Sequence, residues 1–405
     1  MTGPVETSTR LVGGAGPRPG SAGRSRLRIA MNLLTDDPRQ PSGAHWCWTR
    51  IVPEMADRLL PGEELHLMLS PSARRYFPDP GGAVRHMTYP WANDHRVLRT
   101  ASEHLFSPIR LPLSRIDLLS TAIAPVVHPT KALVIHMKTM HAFTAPESLT
   151  IGARAYRRLN YQRSVRLADA IVVNSNSLRA EVDRYLEVDP GKVSLVYEAV
   201  DHDIFKPGHR DAAQAHVAAY GISRPFVLFV SSLWRYKNCD GLLRAWRTVR
   251  TELGGRQLVI LGAPRDQEYA AELHALVDDL GIGEDVVFVG GVPNAETARF
   301  YQAADLLVYP SFNETFGLPI LEAMACACPV VTSDVTSMPE IAGGAALLAD
   351  PHDPASIGRA ILDALGPAAC RLRTEGLVRA RQFNWGAIAE ATLEVYRTAA
   401  ERSRR

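Results

Sequence analysis

The sequence has little of what marks membrane-spanning, secreted and disulfide-rich proteins. No apolar run approaches the roughly 18 residues that a membrane-spanning helix requires. The first residues are polar and contain no apolar segment of the kind found in a secretory signal peptide. Cysteine is sparse, odd in number and irregularly spaced; the five are Cys47, Cys239, Cys326, Cys328 and Cys370. This pattern indicates no disulfide framework, so we expect a cytoplasmic protein whose thiols are reduced.

The chain also lacks a strong charge of either sign. Its 45 basic and 43 acidic residues leave a formal net charge of +2, which is too small to indicate a nucleic-acid partner. The predicted helix Ala153–Leu167 is a local exception, because it carries five arginines. A basic amphipathic helix can lie on an anionic membrane surface. Since apolar residues are sparse in this helix, we favour an ordinary solvated face, and contact with a membrane surface is not indicated.

What is present is the composition of an ordinary globular protein. Of the 405 residues, 46% are hydrophobic and 22% are charged, and this length suits two or three domains. Residues 1–26 differ from the rest. They are rich in Gly, Pro, Ser, Thr and Arg and have no periodicity, so we predict a disordered N-terminal tail.

Short apolar runs of strand length alternate with helical patterns from residue 27 onward. The clearest runs are Leu27–Leu33, Ala132–His136, Ala170–Asn174, Phe226–Val230 and Leu306–Tyr309. Strands that alternate with helices form parallel sheets, and such sheets place their ligand-binding groups at the carboxyl ends of the strands. The pattern therefore predicts an α/β protein built from Rossmann-like units.

The stretch from Asp305 to Asp334 contains the strongest chemical signal. A predicted strand is followed by a loop with Glu314 and Gly317 and then by a helix with Glu322. A glycine before a helix lets backbone N–H groups approach a phosphate, and carboxylates on either side accept hydrogen bonds from sugar hydroxyls. We therefore predict a site for a nucleotide sugar. The alternative is that both glutamates lie on a solvated helix face.

The same stretch resembles a known family. In E-T-F-G-L-P-I-L-E-A-M-A, followed by C-P-V-V, the spacing of Glu314 and Glu322 resembles the signature of retaining glycosyltransferases of the GT-B fold, family 4 (glycosyl transferases group 1). The resemblance implies two Rossmann-like domains that face a central cleft. It places an acceptor domain at 27–207, a nucleotide-sugar domain at 208–385, and a C-terminal helix at 386–405 that packs back on the first domain.

The resemblance also implies roles for individual residues. Glu314 would bind the transferred sugar and Glu322 the nucleotide ribose. Lys237 would bind the departing diphosphate, whose growing negative charge a cation stabilises. The further donor-binding residues that the resemblance implies are Ser232, Arg235, Val292, Phe316, Gly317 and Leu318. Ser232 stands where the family usually has an arginine, and Arg235 is the candidate to supply the missing charge.

Two further features concern the first domain. In the family, a histidine after a strand reaches the transferred sugar; here His136 is preferred as this catalytic residue by its position, with His141 as the alternative. Met137 follows His136 where the family usually has an aspartate. The family usually has two glycines in the loop after the first strand, and this chain has Ser42 and Gly43 there. Gly43 is either the counterpart of one of these glycines or an ordinary loop glycine, and His45 lies near it. Together with His141, these residues are assigned to the acceptor side or the phosphate loop.

The implied activity is transfer of a hexosyl group from a nucleotide-diphosphate sugar to a hydroxylated acceptor, with retained anomeric configuration. No D-x-D type pair of acidic metal ligands stands out, so we expect no divalent metal and no bound cofactor. The acceptor stays open among a natural product, a polysaccharide and a lipid carrier. Two other functions stay open: a nucleotide-sugar epimerase of the same fold, and a non-catalytic nucleotide-sugar-binding protein, for which Ser232 and Met137 would mark a decayed site.

Overall fold

The computed structural model describes most of the chain, and the described ranges are 26–34, 43–77, 82–89, 96–124, 130–146 and 149–404. For residues 43–46 and 96–104 it describes the backbone only. The predicted tail, residues 1–26, lies outside the described part of the chain except for Arg26.

The first domain is built on a seven-stranded parallel sheet. Its strands are β1 (Leu27–Asn32), β2 (Glu63–Leu69), β3 (Val84–Thr88), β4 (Leu118–Thr121), β5 (Ala132–His136), β6 (Ala170–Val173) and β7 (Val193–Leu195). They lie in the order β3-β2-β1-β4-β5-β6-β7, and each neighbouring pair is parallel. Strands β5 and β6 are almost entirely apolar and buried, because helices cover both faces of a parallel sheet.

Helices pack on both faces of this first sheet. They are α1 (Gly43–Ala56), α2 (Arg96–Leu113), α3 (His141–Thr144), α4 (Ile151–Leu167) and α5 (Asn176–Tyr185). Met55 of α1 belongs to a core cluster on one face. Leu111 of α2, Val165 of α4 and Val182 of α5 belong to a second cluster. Alternate residues of β1 join the two clusters, as they must when successive side chains of a strand point to opposite faces.

The second domain is built on a six-stranded parallel sheet. Its strands are β8 (Phe226–Val230), β9 (Gln257–Leu261), β10 (Val286–Gly290), β11 (Leu306–Tyr309), β12 (Val330–Ser333) and β13 (Leu347–Ala349). They lie in the order β10-β9-β8-β11-β12-β13, again all parallel. The flanking helices are α6 (Arg210–Val217), α7 (Cys239–Val249), α8 (Gln267–Asp279), α9 (Asn294–Ala303), α10 (Leu318–Ala325), α11 (Met338–Ala342), α12 (Pro354–Leu365) and α13 (Ala369–Ala380).

The last helix, α14 (Trp385–Arg402), returns to the first domain. Asn384 caps its start by accepting a 2.9 Å hydrogen bond from the Ala387 backbone N–H. On the first domain, the hydroxyls of Tyr396 and Ser120 lie 2.7 Å apart. The predicted fold class, two Rossmann-like domains with a returning C-terminal helix, is confirmed.

The borders that the sequence predicts between these parts, 207/208 and 385/386, stay predictions. Within the described ranges, no helix combines the length and the apolar character that crossing a bilayer demands.

Candidate active site

The loop between β11 and α10 carries several of the predicted donor-binding residues. The helix has proline in its first turn, where the missing N–H of proline costs no intrahelical hydrogen bond. Gly317, just before the helix, has φ of +96°, and a Cβ there would lie 3.2 Å from Ile320 Cδ1. This left-handed backbone conformation favours glycine. The start of α10 offers its first backbone N–H groups to an anion.

Lys237 and Glu314 are in direct contact at the carboxyl end of the second sheet. The Lys237 ammonium group pairs with Glu314 Oε1, and each side chain is only 12% exposed. The Tyr309 hydroxyl joins them: it donates to Glu314 Oε1 at 2.6 Å and accepts from Lys237 Nζ at 3.0 Å. Burial lowers the pKa of Lys237, but the Glu314 carboxylate together with the Tyr309 and Tyr236 hydroxyls outweighs burial and raises this pKa above its usual value. The lysine therefore stays protonated.

Hydroxyl groups hold the backbone of the Glu314 loop in place. Ser337 donates to the carbonyl oxygens of Glu314 at 2.9 Å and of Phe316 at 3.0 Å. Ser175, which caps α5 in the first domain, donates to the Thr315 carbonyl at 2.7 Å. The Phe316 side chain is buried in the core of the second domain, so its backbone is the part that can contact a donor.

Glu322 lies on α10 beside the tyrosine of a neighbouring helix. Tyr301 of α9 donates a 2.9 Å hydrogen bond to Glu322 Oε2. Burial raises the pKa of Glu322 to about 7, and the hydrogen bond from Tyr301 acts in the opposite direction. In its ionised form this carboxylate accepts several hydrogen bonds and suits the hydroxyl groups of a ribose.

A cleft of about 370 Å³ lies between the two domains, a volume in the range of small-molecule sites. The predicted site residues that line it are Ser232, Val292, Leu318 and Glu322. Gly262 also lines it, and a Cβ there would lie 1.7 Å from the Ser231 carbonyl oxygen. The turn after β9 therefore has no room for a side chain, which keeps this wall of the cleft open.

Lys237 and Glu314 do not line this cavity. The predicted donor-binding residues thus form two groups, one on the cavity wall and one in the buried ion pair. The loop that runs from Glu314 to Leu318 connects them, since Glu314 belongs to the ion pair and Leu318 to the cavity wall.

Arg235 does not reach the cleft. Its guanidinium donates two hydrogen bonds of 2.7 Å to the Glu272 carboxylate on α8, and its side chain is half exposed. The acidic residue on α8 holds this side chain away from the cleft, so the structure does not bring the Arg235 guanidinium to the cleft wall where Ser232 lies. Arg50 and Arg265 line the cleft instead. Arg50 is paired with Asp201 at 2.6 Å, whereas the described part of the chain contains no ion pair of Arg265.

His136 and His141 have different surroundings. His136 is 6% exposed, and its Nε2 lies 2.9 Å from the Tyr396 hydroxyl of α14. Burial lowers the pKa of His136 to about 3, so the ring is neutral near pH 7. The His141 ring packs against Tyr236, with 5.5 Å between ring centroids, and Tyr236 is the neighbour of Lys237. The structure thus brings His141, the alternative, to the Lys237 loop and places the preferred His136 under the C-terminal helix.

The predicted phosphate loop is only partly described. Gly43 begins α1, but the side chain of His45 and the loop before Gly43 lie outside the described residues. One to two turns further along α1, Cys47 and Arg50 line the cleft. Burial raises the pKa of the Cys47 thiol, so Cys47 is not a nucleophile at neutral pH.

The site also includes residues that are absent from the predicted set: Cys47, Arg50, Arg265, Tyr301, Tyr309 and Trp385. Tyr309 has a usable signal, because it is the last residue of a strand that ends at the predicted site. The others come from distant segments and have no local signal. In the described residues, no group of three or more His, Cys, Asp or Glu side chains is placed to hold a metal ion.

Comparison with known proteins places the chain in a family. A family model described as Glycosyl transferases group 1 matches residues 216–369, from the end of α6 to the start of α13. The D-inositol 3-phosphate glycosyltransferase of Mycolicibacterium smegmatis is 32% identical over 277 residues, which are 67% of this chain and 61% of that protein. The chain thus matches about three fifths of the length of this relative. The O-antigen chain mannosyltransferase B of Escherichia coli is 31% identical over 274 residues, which are 67% of this chain and 71% of that protein.

Solved structures support the same assignment at the level of the fold. Sucrose-phosphate synthase from Thermosynechococcus elongatus superposes with a TM-score of 0.70 at 22% identity, covering 92% of this chain and 98% of that one. HepE of Anabaena, in complex with UDP and glucose, superposes with a TM-score of 0.68 at 18% identity, covering 92% of this chain and 100% of that one. Since the match covers more than two thirds of the mannosyltransferase and the family model covers the loops of Lys237 and Glu314, the chain belongs to the Glycosyl transferases group 1 family.

Proposed function

We propose that the chain transfers a hexosyl group from a nucleotide-diphosphate sugar to a hydroxyl group of an acceptor, with retention of anomeric configuration and without a metal ion. The observation that carries this proposal is the contact of Lys237 with Glu314 on the loop that leads to the cleft-lining Glu322. A cation for a diphosphate and two carboxylates for hydroxyl groups are then held by two neighbouring loops and by the helix α10 that follows one of them.

The donor would extend from the cleft to the ion pair. Its nucleoside fits the 370 Å³ cleft, with the base near the backbone of Val292 and the ribose hydroxyls on Glu322. The diphosphate would lie at the start of α10, where backbone N–H groups and Lys237 converge on one loop. Arg265, on the cleft wall, adds a second cation. The transferred sugar would then reach Glu314.

The proposed reaction requires the protein to stabilise the negative charge of the leaving diphosphate, and it requires no general base from the protein. As the bond from the anomeric carbon to the diphosphate breaks, its electron pair leaves on the diphosphate oxygen. Lys237, which stays protonated, stabilises this charge; one such donor is worth about 10²–10³ in rate. The acceptor oxygen bonds to the anomeric carbon on the face that the diphosphate leaves, and its proton passes to a diphosphate oxygen.

The relatives support transfer from a nucleotide sugar, since one is named a glycosyltransferase of D-inositol 3-phosphate and one a mannosyltransferase. HepE was solved with UDP and glucose. The acceptor of this chain is a hydroxylated natural product, polysaccharide or lipid carrier. All five cysteines are free thiols, which supports a cytoplasmic location.

The test begins with a thermal-shift screen of nucleoside diphosphates against the purified chain. The diphosphate that binds identifies the donor class, because a ligand that binds only the folded state raises the melting temperature. Sugars linked to that nucleotide are then incubated with candidate acceptors, with and without a chelator. We expect a glycoside that keeps the anomeric configuration of the donor sugar, together with free nucleoside diphosphate. The yield should be the same with and without the chelator.

Three results would contradict this proposal. An epimerised donor would show an epimerase, and a bound but unaltered donor with every acceptor class would show a non-catalytic binding protein. If a chelator abolished turnover and a divalent metal restored it, the proposed independence of metal ions would be wrong, but the proposed sugar transfer would stand.

A further inference from the structure

Large apolar side chains are exposed mainly on one layer of the first domain. Of the ten that are exposed among the described residues, eight lie on α2 or α4. The most exposed, at 60–79%, are Leu105, Ile109 and Leu113 of α2 and Ile151 and Leu159 of α4. The remaining two, Leu348 and Val378, lie on the second domain. Single exposed apolar residues are ordinary, but a concentration of them on one layer marks an interaction surface.

The exposed residues of both helices face the same side of the domain. Leu111 of α2 and Val165 of α4 are buried in one core cluster, on one face of the first sheet. The outer surfaces of α2 and α4 are therefore both turned away from that face of the sheet. On α2, Leu105, Ile109 and Leu113 recur every fourth residue, so they form a stripe along the helix. We call the outer surfaces of these two helices the α2/α4 face.

This face is also strongly basic. The described side chains of α2 and α4 include six arginines and no acidic residue, and one of the six, Arg166, pairs with Glu187 at 2.5 Å. The whole chain has a net charge of only +2. Arg110 and Arg158 donate to backbone carbonyl oxygens, contacts that leave their positive charge unneutralised. In the part of α4 whose side chains are described, no ion pair of Arg154 or Arg157 is found.

The α2/α4 face begins near the cleft. Helices of βα units start at the carboxyl ends of the strands, which is the edge where the two domains meet. His141, on the helix just before α4, packs against Tyr236 of the second domain. Ile151, the first residue of α4, is 79% exposed. An apolar and basic surface thus extends from the cleft side along the first domain.

We propose that the α2/α4 face docks the protein on the surface of an anionic lipid bilayer. The apolar stripe would enter the boundary between headgroups and acyl chains, and the arginines would bind lipid phosphates. This interaction is independent of the proposed sugar transfer.

The positive charge of the α2/α4 face favours an anionic lipid surface over the two other candidates, the N-terminal residues 1–25 and a second copy of the chain. Residues 1–25 carry three arginines and one glutamate and few large apolar residues, so they complement neither its charge nor its stripe. A second copy would bring two basic faces together, and like charges repel. An anionic bilayer complements both properties.

Vesicle cosedimentation of the full chain tests the proposal. One set of vesicles is phosphatidylcholine, and the other is equal parts phosphatidylcholine and phosphatidylglycerol. We expect binding to the second set and little to the first, with binding reduced as salt screens the charges. Ile109→Glu with Leu159→Glu should lower the partition coefficient at least about tenfold. The matched control is Leu348→Glu with Val378→Glu, which should bind as the unchanged chain does.

A second pair of variants tests the charge. Arg154→Glu with Arg157→Glu should lower binding to the anionic vesicles by more than about tenfold, since each basic residue near such a surface contributes about a fivefold factor. Arg244→Glu with Arg247→Glu, at the same spacing on an exposed part of α7, is the control and should have no effect. Thermal unfolding of all four variants shows that each is folded.

Several outcomes would overturn the proposal. These are absence of binding to both vesicle sets, equal binding to both, and equal loss in the control variants. Loss of vesicle binding on removal of residues 1–25 would assign the binding to that segment. A dimer in light scattering that dissociates in the Ile109→Glu, Leu159→Glu variant would make the face a protein interface instead.

Discussion

The carboxylate of Glu314 contacts the ammonium group of Lys237 although 77 positions separate the two residues. Lys237 follows β8 and Glu314 follows β11, and these strands are neighbours in the second sheet. The loops after them therefore converge at one edge of the sheet. Because both side chains are almost buried, each charge depends on the other, and removal of one leaves an uncompensated buried charge.

Lys237→Met is expected to damage turnover and stability together. Turnover should fall about 10²–10³-fold, because the leaving diphosphate loses its cation. The free energy of unfolding should fall by about 3 kcal/mol, because Glu314 stays buried without a partner. Release of nucleoside diphosphate and urea unfolding measure the two effects. The double variant Lys237→Met, Glu314→Gln should regain much of the stability and remain inactive. Stability losses that merely add would show that the two residues are not coupled.

Glu322→Gln is expected to flatten the pH dependence of stability between pH 4.5 and 7. The pKa of Glu322 is raised from 4.5 to about 7 in the folded protein, so the folded state binds this proton more tightly than the unfolded chain. The stabilisation is complete below pH 4.5 and is lost as the pH rises to 7. It amounts to about 3 kcal/mol.

Urea unfolding of both proteins across this range measures the difference. The variant should gain about 3 kcal/mol relative to the unchanged chain as the pH rises through the window. Tyr301→Phe is the matched control: it removes the hydrogen bond that lowers the pKa of Glu322, so the dependence should become steeper. If the free energy of unfolding changed with pH in the same way in all three proteins, Glu322 would titrate as an exposed carboxyl does.

Local sequence was sufficient to predict the fold and the junction of loop and helix at which Glu314 and Glu322 lie. Continuous apolar runs mark buried parallel strands wherever they occur, and Gly317 and Pro319 mark the start of α10 within a few residues. Glu314 and Glu322 lie on either side of that start, so their association with one loop follows from the order of the chain.

The rest of the site depends on contacts between distant residues. Arg50 and Arg265 reach the cleft from different domains, and nothing near either one in the sequence marks it. Arg235 has the right position, but Glu272, 37 residues away, holds its side chain. The choice between the histidines depends on Tyr396, 260 residues from His136. In each case the decisive neighbour is set by tertiary packing.

The α2/α4 face shows the same limit. Taken alone, α4 has too few apolar residues to predict contact with a membrane surface, and its arginines suit solvent equally well. The structure adds the stripe of α2 on the same side of the sheet. Only the two helices together form a surface that is both apolar and basic.

Separate substitution of the two histidines should have different effects: one variant should lose activity and the other should lose stability. His141→Ala is expected to lower kcat about tenfold with little change in unfolding, because this ring contacts the loop of Lys237 and would lie near the transferred sugar in the proposed donor position. His136→Ala should lower the free energy of unfolding by about 2 kcal/mol, since it leaves a cavity under α14 and removes one of the two partners of the buried Tyr396 hydroxyl, the other being Ser120. Steady-state kinetics and urea unfolding distinguish them. If His136→Ala lost turnover at unchanged stability, His136 would be the active-site histidine.

Arg265→Gln is expected to weaken donor binding about tenfold, because it removes a cation from the wall of the cleft. Arg235→Gln is the matched control. Its guanidinium is bound to Glu272 on the outer surface, so the donor affinity should not change. Titration calorimetry with the nucleoside diphosphate measures both, and the effect of Arg265→Gln should shrink as the salt concentration rises. The reverse result would show that Arg235 leaves Glu272 to bind the diphosphate.

Glu340→Gln is expected to loosen the contact between the domains. From the second domain, its carboxylate accepts hydrogen bonds from the Asn176 backbone N–H at 2.9 Å and from the Tyr197 hydroxyl at 2.9 Å. Asn176 is the first residue of α5, where a negative charge is stabilised by the helix dipole.

Loss of that charge should shift the equilibrium about tenfold from domains in contact through Glu340 toward domains that have separated there, which corresponds to about 1.4 kcal/mol. Small-angle X-ray scattering should then give a larger radius of gyration for Glu340→Gln, and a bound nucleoside diphosphate should reverse part of the increase. Glu296→Gln is the control, because Glu296 pairs with His216 inside the second domain and should leave the radius unchanged. An unchanged radius for Glu340→Gln, together with a lower melting temperature, would mean that Glu340 stabilises the fold without governing closure.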